Sequence, residues 1–125
     1  ELDGVFSFKN LTLQANYMFV EKVKQDPIRL PKHAANLGLS YDRPKAQCGV
    51  HLRYVGSRTD TNFENGKRVN LAAFTLLDAR VSFPNLIGDA SASLSLTNVF
   101  DAAYTEFHGF TTLGRNMNIG MQYAF

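Results

Sequence analysis

The feature that most constrains this chain is a strict two-residue alternation that recurs from segment to segment. Met117, Ile119, Met121, Tyr123 and Phe125 fall on one parity, and Asn118, Gly120, Gln122 and Ala124 on the other. Successive side chains of an extended strand point to opposite faces, so each such segment predicts a strand with one apolar and one polar face. Upstream, Ala90, Ala92, Leu94 and Leu96 oppose Ser91, Ser93, Ser95 and Thr97, and Leu77, Ala79, Val81 and Phe83 oppose Asp78, Arg80 and Ser82. Cys48, Val50, Leu52 and Tyr54 oppose Gly49, His51 and Arg53, while Ala35, Leu37, Leu39 and Tyr41 oppose Asn36, Gly38 and Ser40. Leu11, Leu13, Ala15, Tyr17 and Phe19 oppose Thr12, Gln14 and Asn16, and a short run at Val5–Phe8 reads as the tail of one more strand. No helical period competes, and the pattern predicts about seven strands.

The connections carry a second pattern. Those at Lys9–Asn10, Asp42–Ala46 and Pro84–Asp89 are short, whereas those at Lys24–Lys32, Thr59–Asn70 and Asp101–Gly114 are longer. Short and long alternate, as in outer-membrane barrels with brief periplasmic turns and longer outer loops. On that rule the last strand runs inward and ends at Phe125. Composition agrees: the chain is 45% hydrophobic, with a mean hydropathy of −0.17. No run approaches the ~18 apolar residues of a spanning helix, but barrel strands average apolar and polar faces and leave hydropathy ordinary. A soluble β-sandwich or lipocalin-like barrel would alternate in the same way. Small uncharged polar faces, aromatics near strand ends (Tyr17, Phe19, Tyr41, Tyr54, Phe83, Tyr123, Phe125) and an aromatic final residue favour the membrane. The expected fold is an all-β, antiparallel up-and-down meander of about seven strands, the C-terminal part of a transmembrane β-barrel in the bacterial outer membrane.

Three motifs then point to a family. Asn98-Val99-Phe100-Asp101 with Tyr104, followed by Gly114-Arg115, resembles the last loop of TonB-dependent receptors, which reads roughly N-L-F-D-x-x-Y and then Gly-Arg. Val99 stands where leucine is usual and Leu113 where proline is common. Arg29, Pro31 and His33 resemble the family's R-x-P-x-H, and Tyr54, Gly56 and Arg58 its Y-x-G-x-R. The resemblance implies a barrel of about 22 strands with a plugged lumen. Residues 1–125 would then be a C-terminal fragment without the plug domain and earlier strands, an expectation that an odd strand count suits. It also implies active uptake of a scarce nutrient, with TonB engaged through the missing plug. Asp101–Glu106 and Phe107–Thr112 look most like vitamin B12 (cobalamin) receptors, but iron-siderophore receptors end similarly, and both ligands stay open. A passive porin or small structural barrel, and a soluble lipid-binding β-barrel, are the alternative functions.

Individual residues sharpen these expectations. Met117, Ile119, Met121, Tyr123 and Phe125 resemble the terminal signal by which the barrel assembly machinery engages outer-membrane proteins, a pairing of strand edges. His51, Arg53, Asp78 and Arg80 fall on the lumen-facing polar parity, where a charge-paired wall is the expectation. The opposite, apolar parity would meet outer-membrane lipid, and there Cys48 would serve as a small apolar residue. His33, His51 and His108 lack ligand spacing, so no metal site is expected, and Asp60 and Glu64 read as a solvated loop rather than a calcium site. Asn10-Leu11-Thr12 matches a glycosylation sequon by chance. No nucleophile constellation or phosphate-cradling loop appears, so neither an enzyme nor a cofactor is expected. A formal charge of +2 with scattered basic residues gives no nucleic-acid footprint.

Overall fold

The computed structural model describes residues 1–21 and 27–124. Its strands are β1 (Leu2–Phe8), β2 (Leu11–Phe19), β3 (His33–Arg43), β4 (Ala46–Val55), β5 (Arg58–Thr61), β6 (Arg68–Leu71), β7 (Phe74–Ile87), β8 (Ala90–Thr97) and β9 (Asn116–Tyr123). Seven of them form one sheet in the order β1-β2-β3-β4-β7-β8-β9, all antiparallel to their neighbours. This is the meander the alternation predicts, with β1 and β9 at its two edges. Phe125 lies outside the described residues, as does part of the connection expected at Lys24–Lys32.

Register turns the alternation into two continuous faces. Phe8 opposes Leu11, Leu11 opposes Tyr41, Tyr41 opposes Cys48, Cys48 opposes Val81, Val81 opposes Leu94 and Leu94 opposes Ile119. One rung of apolar side chains therefore crosses the whole sheet. A slip of one residue in any strand would move its apolar set to the other face. The other parity holds Thr12 opposite Ser40, Gly38 opposite His51, His51 opposite Asp78, and Ser95 opposite both Arg80 and Asn118. The apolar face is bare, with Ile119 72% and Met121 85% exposed. A water-soluble monomer would cover so much contiguous apolar surface. Among the described residues, the buried Leu71, Phe74 and Leu76 sit instead where the long loops gather.

Three details depart from the expectation. The connection expected at Thr59–Asn70 contains its own two-stranded sheet, β5 paired with β6, because Arg58-Thr59-Asp60-Thr61 can bury one parity against neighbouring loops. The connection expected at Pro84–Asp89 is mostly strand: β7 runs on to Ile87 through an irregularity between Phe83 and Ile87, and only Gly88-Asp89 turn. Pro84 has no N–H to give a ladder, so pairing skips it and Asn85 takes up a φ of 52°. β1 begins at Leu2, earlier than the Val5–Phe8 run, because Gly4 and Asp3 pair with Ala15 and Asn16 despite breaking the apolar rhythm.

Candidate functional site at the long-loop end

Every family-like motif except one aromatic member converges on the end of the sheet that carries the long connections. Arg29 takes a φ of 65° and its N–H donates to the Thr59 carbonyl at 2.7 Å. Its guanidinium Nε then reaches Asp60 Oδ1 at 2.7 Å. The same guanidinium lies over the rings of Phe63 and Phe107, at 5.5 and 4.9 Å from their centroids. Pro31, two residues on, is buried.

His33 opens β3 and joins three strands. Its ring Nδ1 shares a hydrogen bond with the Tyr17 hydroxyl at 2.7 Å, and the ring packs on Phe19 at 5.1 Å. Its carbonyl accepts the Gly56 N–H at 2.8 Å. A Cβ built on Gly56 would stand 2.8 Å from that same oxygen, so only glycine admits the approach. Tyr54, two residues earlier on β4, sits opposite Ala35 of β3.

Arg58 and Asp60 share the buried parity of β5 and together pin the last long loop. Arg58 Nη2 donates to the carbonyls of Thr105 and Glu106 at 2.8 and 3.0 Å. Asp60 is fully buried, and its Oδ2 accepts the His108 N–H at 2.8 Å. Its Oδ1 accepts the Thr61 N–H at 2.8 Å besides Arg29. Three donors around one carboxylate explain why its pKa falls to about 2: the His108 N–H contributes most, and Arg29 and the Thr61 N–H add to it against burial. Burial pushes the Arg58 guanidinium below its usual value, opposed by the charges of Glu106 and Asp60. The expectation that Asp60 belongs to a solvated loop is therefore corrected. Among the described residues no group of three or more His, Cys, Asp or Glu could hold a metal ion.

The polar face is not the self-paired wall that was expected. Arg53 pairs with Glu106 of the last loop at 2.7 Å rather than with a neighbour in the sheet. Asp78 accepts the Asn98 N–H at 2.9 Å, which fixes where that loop leaves β8. Phe74, on the polar parity of β7, stacks against Tyr104 at 4.9 Å and lies under both Arg53 and Arg58. The last loop thus folds across the polar face. Below it a hollow of about 680 Å³ remains, bordered by Gln14, Ser40, His51, Asp78, Arg80 and Ser95 among others.

The loop also closes on itself. Asn98, at φ 51°, exchanges side-chain hydrogen bonds with both backbone groups of Ala102, at 3.0 and 2.9 Å. Asp101 Oδ1 accepts the Arg115 N–H at 2.8 Å, and a Cβ on Gly114 would meet that oxygen at 2.8 Å. Phe100 is the exception, 64% exposed and outside the cluster. The sequence reading missed Glu106, Phe74 and the role of Asp60. The available signal was the Arg58-Asp60 spacing, which puts two opposite charges on one face of a short strand.

The family described as TonB dependent receptor-like, beta-barrel matches residues 1–99. Among solved structures, the pyoverdine outer membrane receptor FpvA from Pseudomonas aeruginosa PAO1, bound to pyoverdine, superposes with a TM-score of 0.75 at 22% identity, over 94% of this chain and 20% of that one. The FrpB iron transporter from Neisseria meningitidis gives 0.73 at 19%, over 95% and 22%. The FpvAI–pyocin S2 complex gives 0.76 at 21%, over 97% and 19%. At such identities the likeness is one of fold, and the chain spans about a fifth of the length of these structures. The family is one of receptors and transporters rather than enzymes, its members being proteins of the bacterial outer membrane. By the match over most of its length, the chain belongs to the TonB-dependent receptor-like β-barrels.

Proposed function

We propose that this chain is the C-terminal wall of an outer-membrane receptor that takes up an iron–siderophore complex with energy delivered through TonB. The observation that carries the reading is the last loop, folded over the polar face and held by Arg53, Arg58 and Asp60. A wall with an ordered loop across its mouth suits a gated receptor better than an open passive pore. The siderophore class is favoured because the similar structures include a pyoverdine receptor and an iron transporter. Cobalamin is the second reading, supported by the resemblance of Asp101–Glu106 and Phe107–Thr112 to cobalamin receptors. Energy coupling would pass through a plug that is not part of residues 1–125.

In the same reading the apolar face meets lipid, and the polar parity, with His51 and Arg80, lines the lumen. Met117, Ile119, Met121 and Tyr123 lie on the apolar parity of edge strand β9 and, with Phe125, would present the edge read by the barrel assembly machinery. The functional test is uptake and binding by cells carrying the receptor, with labelled ferric siderophores and labelled cobalamin in parallel. TonB-dependent accumulation of a ferric siderophore alone is the expected result. Accumulation of cobalamin alone would replace the substrate, and uptake unaffected by loss of TonB would replace the mechanism.

A further inference from the structure

The apolar face is not uniformly filled. Two neighbouring rungs narrow at their centre, where Cys48 and Ala79 stand between the bulkier Leu39 and Tyr41 on one side and Leu94 and Leu96 on the other. The result is a shallow hollow of about 400 Å³, to which Leu11, Val50 and Val81 also contribute. Its lining is almost wholly hydrocarbon. It spans two rungs, about 7 Å along the strands, room for a short length of acyl chain.

A cation stands at one end of this hollow. Arg43 has the same parity as Tyr41 and lies one rung nearer the short turns, opposite the small Ala46. Its Nε donates to the Tyr41 hydroxyl at 2.9 Å, and its guanidinium lies over that ring at 5.7 Å. The turn between β1 and β2 adds Lys9, whose ammonium sits 5.3 Å from the centre of the Phe8 ring. That turn is tied to the end of β3 by Asn10 Nδ2 donating to the Asp42 carbonyl at 2.6 Å, so both cations border one rim. Lys45, in the turn after β3, is a third. Among the described residues no carboxylate pairs with Arg43, Lys9 or Lys45. Asp42, the nearest acidic residue in sequence, is on the opposite, polar parity and borders the hollow of that face.

We propose that this rim is a binding site for an anionic glycerophospholipid of the leaflet facing the short turns. Its phosphate sits against Arg43 and Lys9, and one acyl chain lies in the hollow over Cys48 and Ala79. Charge selects the headgroup: three cations without a carboxylate partner, Arg43 and Lys9 nearest the aromatic girdle, attract an anionic lipid over a zwitterionic one. Shape selects the tail, because hydrocarbon restores dispersion contacts that the small side chains leave open. The inference rests on the apolar face lying in lipid, which the oxygen accessibility of spin labels at Leu94 and Ile119 tests independently.

The test is native mass spectrometry of the intact receptor in detergent, with phosphatidylglycerol and phosphatidylethanolamine added in equal amounts and inorganic phosphate as a competitor. The expected result is preferential retention of phosphatidylglycerol, lowered about fivefold for each cation removed in Arg43→Gln and Lys9→Gln. Ala79→Leu, which fills the hollow and keeps both cations, should also reduce retention, and Cys48→Leu repeats that test at a second position. Millimolar phosphate should leave retention unchanged, since it lacks a tail. Equal retention of the two lipids, retention insensitive to Arg43→Gln, or full competition by phosphate would overturn the proposal. Labels at Leu94 and Ile119 that are shielded from oxygen in the wild-type receptor would instead remove the membrane reading beneath it.

Discussion

Asp60 accepts the backbone N–H of His108 at 2.8 Å, joining a short hairpin in one long connection to the middle of another 48 residues downstream. Because Asp60 also holds Arg29, one buried carboxylate couples three outer segments. Asp60→Ala should therefore release the loop around residues 101–114 while leaving the seven-stranded sheet intact. Hydrogen exchange at the His108 amide should accelerate on the order of tenfold or more, since a charge-assisted bond to a buried group is lost. Unchanged exchange there would mean that Arg58 alone suffices.

The same carboxylate sets a pH window. Its pKa in the folded loop is about 2, and an unfolded aspartate titrates near ~3.9. Between these values the released loop binds the proton more readily than the pinned one. Loop order is thus fully supported above about pH 4 and lost as pH falls through about 2. Protection of the His108 amide, its exchange relative to the intrinsic rate at each pH, should fall in that window as pH is lowered from 5, and the fall should vanish in Asp60→Asn. A transition centred near pH 6 would implicate a histidine instead.

Gly56 and Gly38 should respond differently to alanine. A Cβ at Gly56 would meet the His33 carbonyl oxygen at 2.8 Å, whereas at Gly38 the nearest atoms are 3.9 Å away. Gly56→Ala should destabilise the long-loop rim by about 1–3 kcal/mol, and Gly38→Ala should be nearly neutral. Melting of the folded barrel followed by its gel shift compares the two directly. Equal effects would contradict the close approach of Gly56 to His33.

Residues 1–125 alone present open edges at β1 and β9 and a bare apolar face. Unpaired edges invite association in water and cost several kcal/mol per group in hydrocarbon. The isolated polypeptide should neither remain soluble without detergent nor insert as a stable monomer. Sedimentation in plain buffer should show aggregates. A monodisperse, cooperatively melting monomer would mean that the chain closes on itself as a small soluble barrel.

The main sheet was legible because parity is a local property. Leu94, Leu96, Ile119 and Met121 declare their face from spacing alone, and the register pairs them with one another or with equally apolar neighbours. The β5–β6 hairpin was not legible, because Arg58-Thr59-Asp60-Thr61 has no apolar parity and is ordered by polar contacts with residues far away in the chain. For the same reason Asp60 looked solvated: its partners Arg29 and His108 lie 31 and 48 residues away. The extension of β7 past Pro84 was hidden by a residue that ordinarily ends a strand and is here accommodated by an irregular register. The motif residues were found through resemblance, but their convergence on one end of the sheet is a property of the fold.

Which face of the sheet meets the membrane separates a transmembrane barrel from a soluble one. Spin labels placed singly at Leu94, Leu96, Ile119 and Met121, and at Ser93, Ser95, Asn118 and Gln122, in the full receptor in lipid bilayers would measure it. The first set should be accessible to oxygen and shielded from a polar reagent, and the second set the reverse, as the two faces of β8 and β9 require. A single population with no dependence on parity, or the opposite assignment, would contradict the membrane barrel.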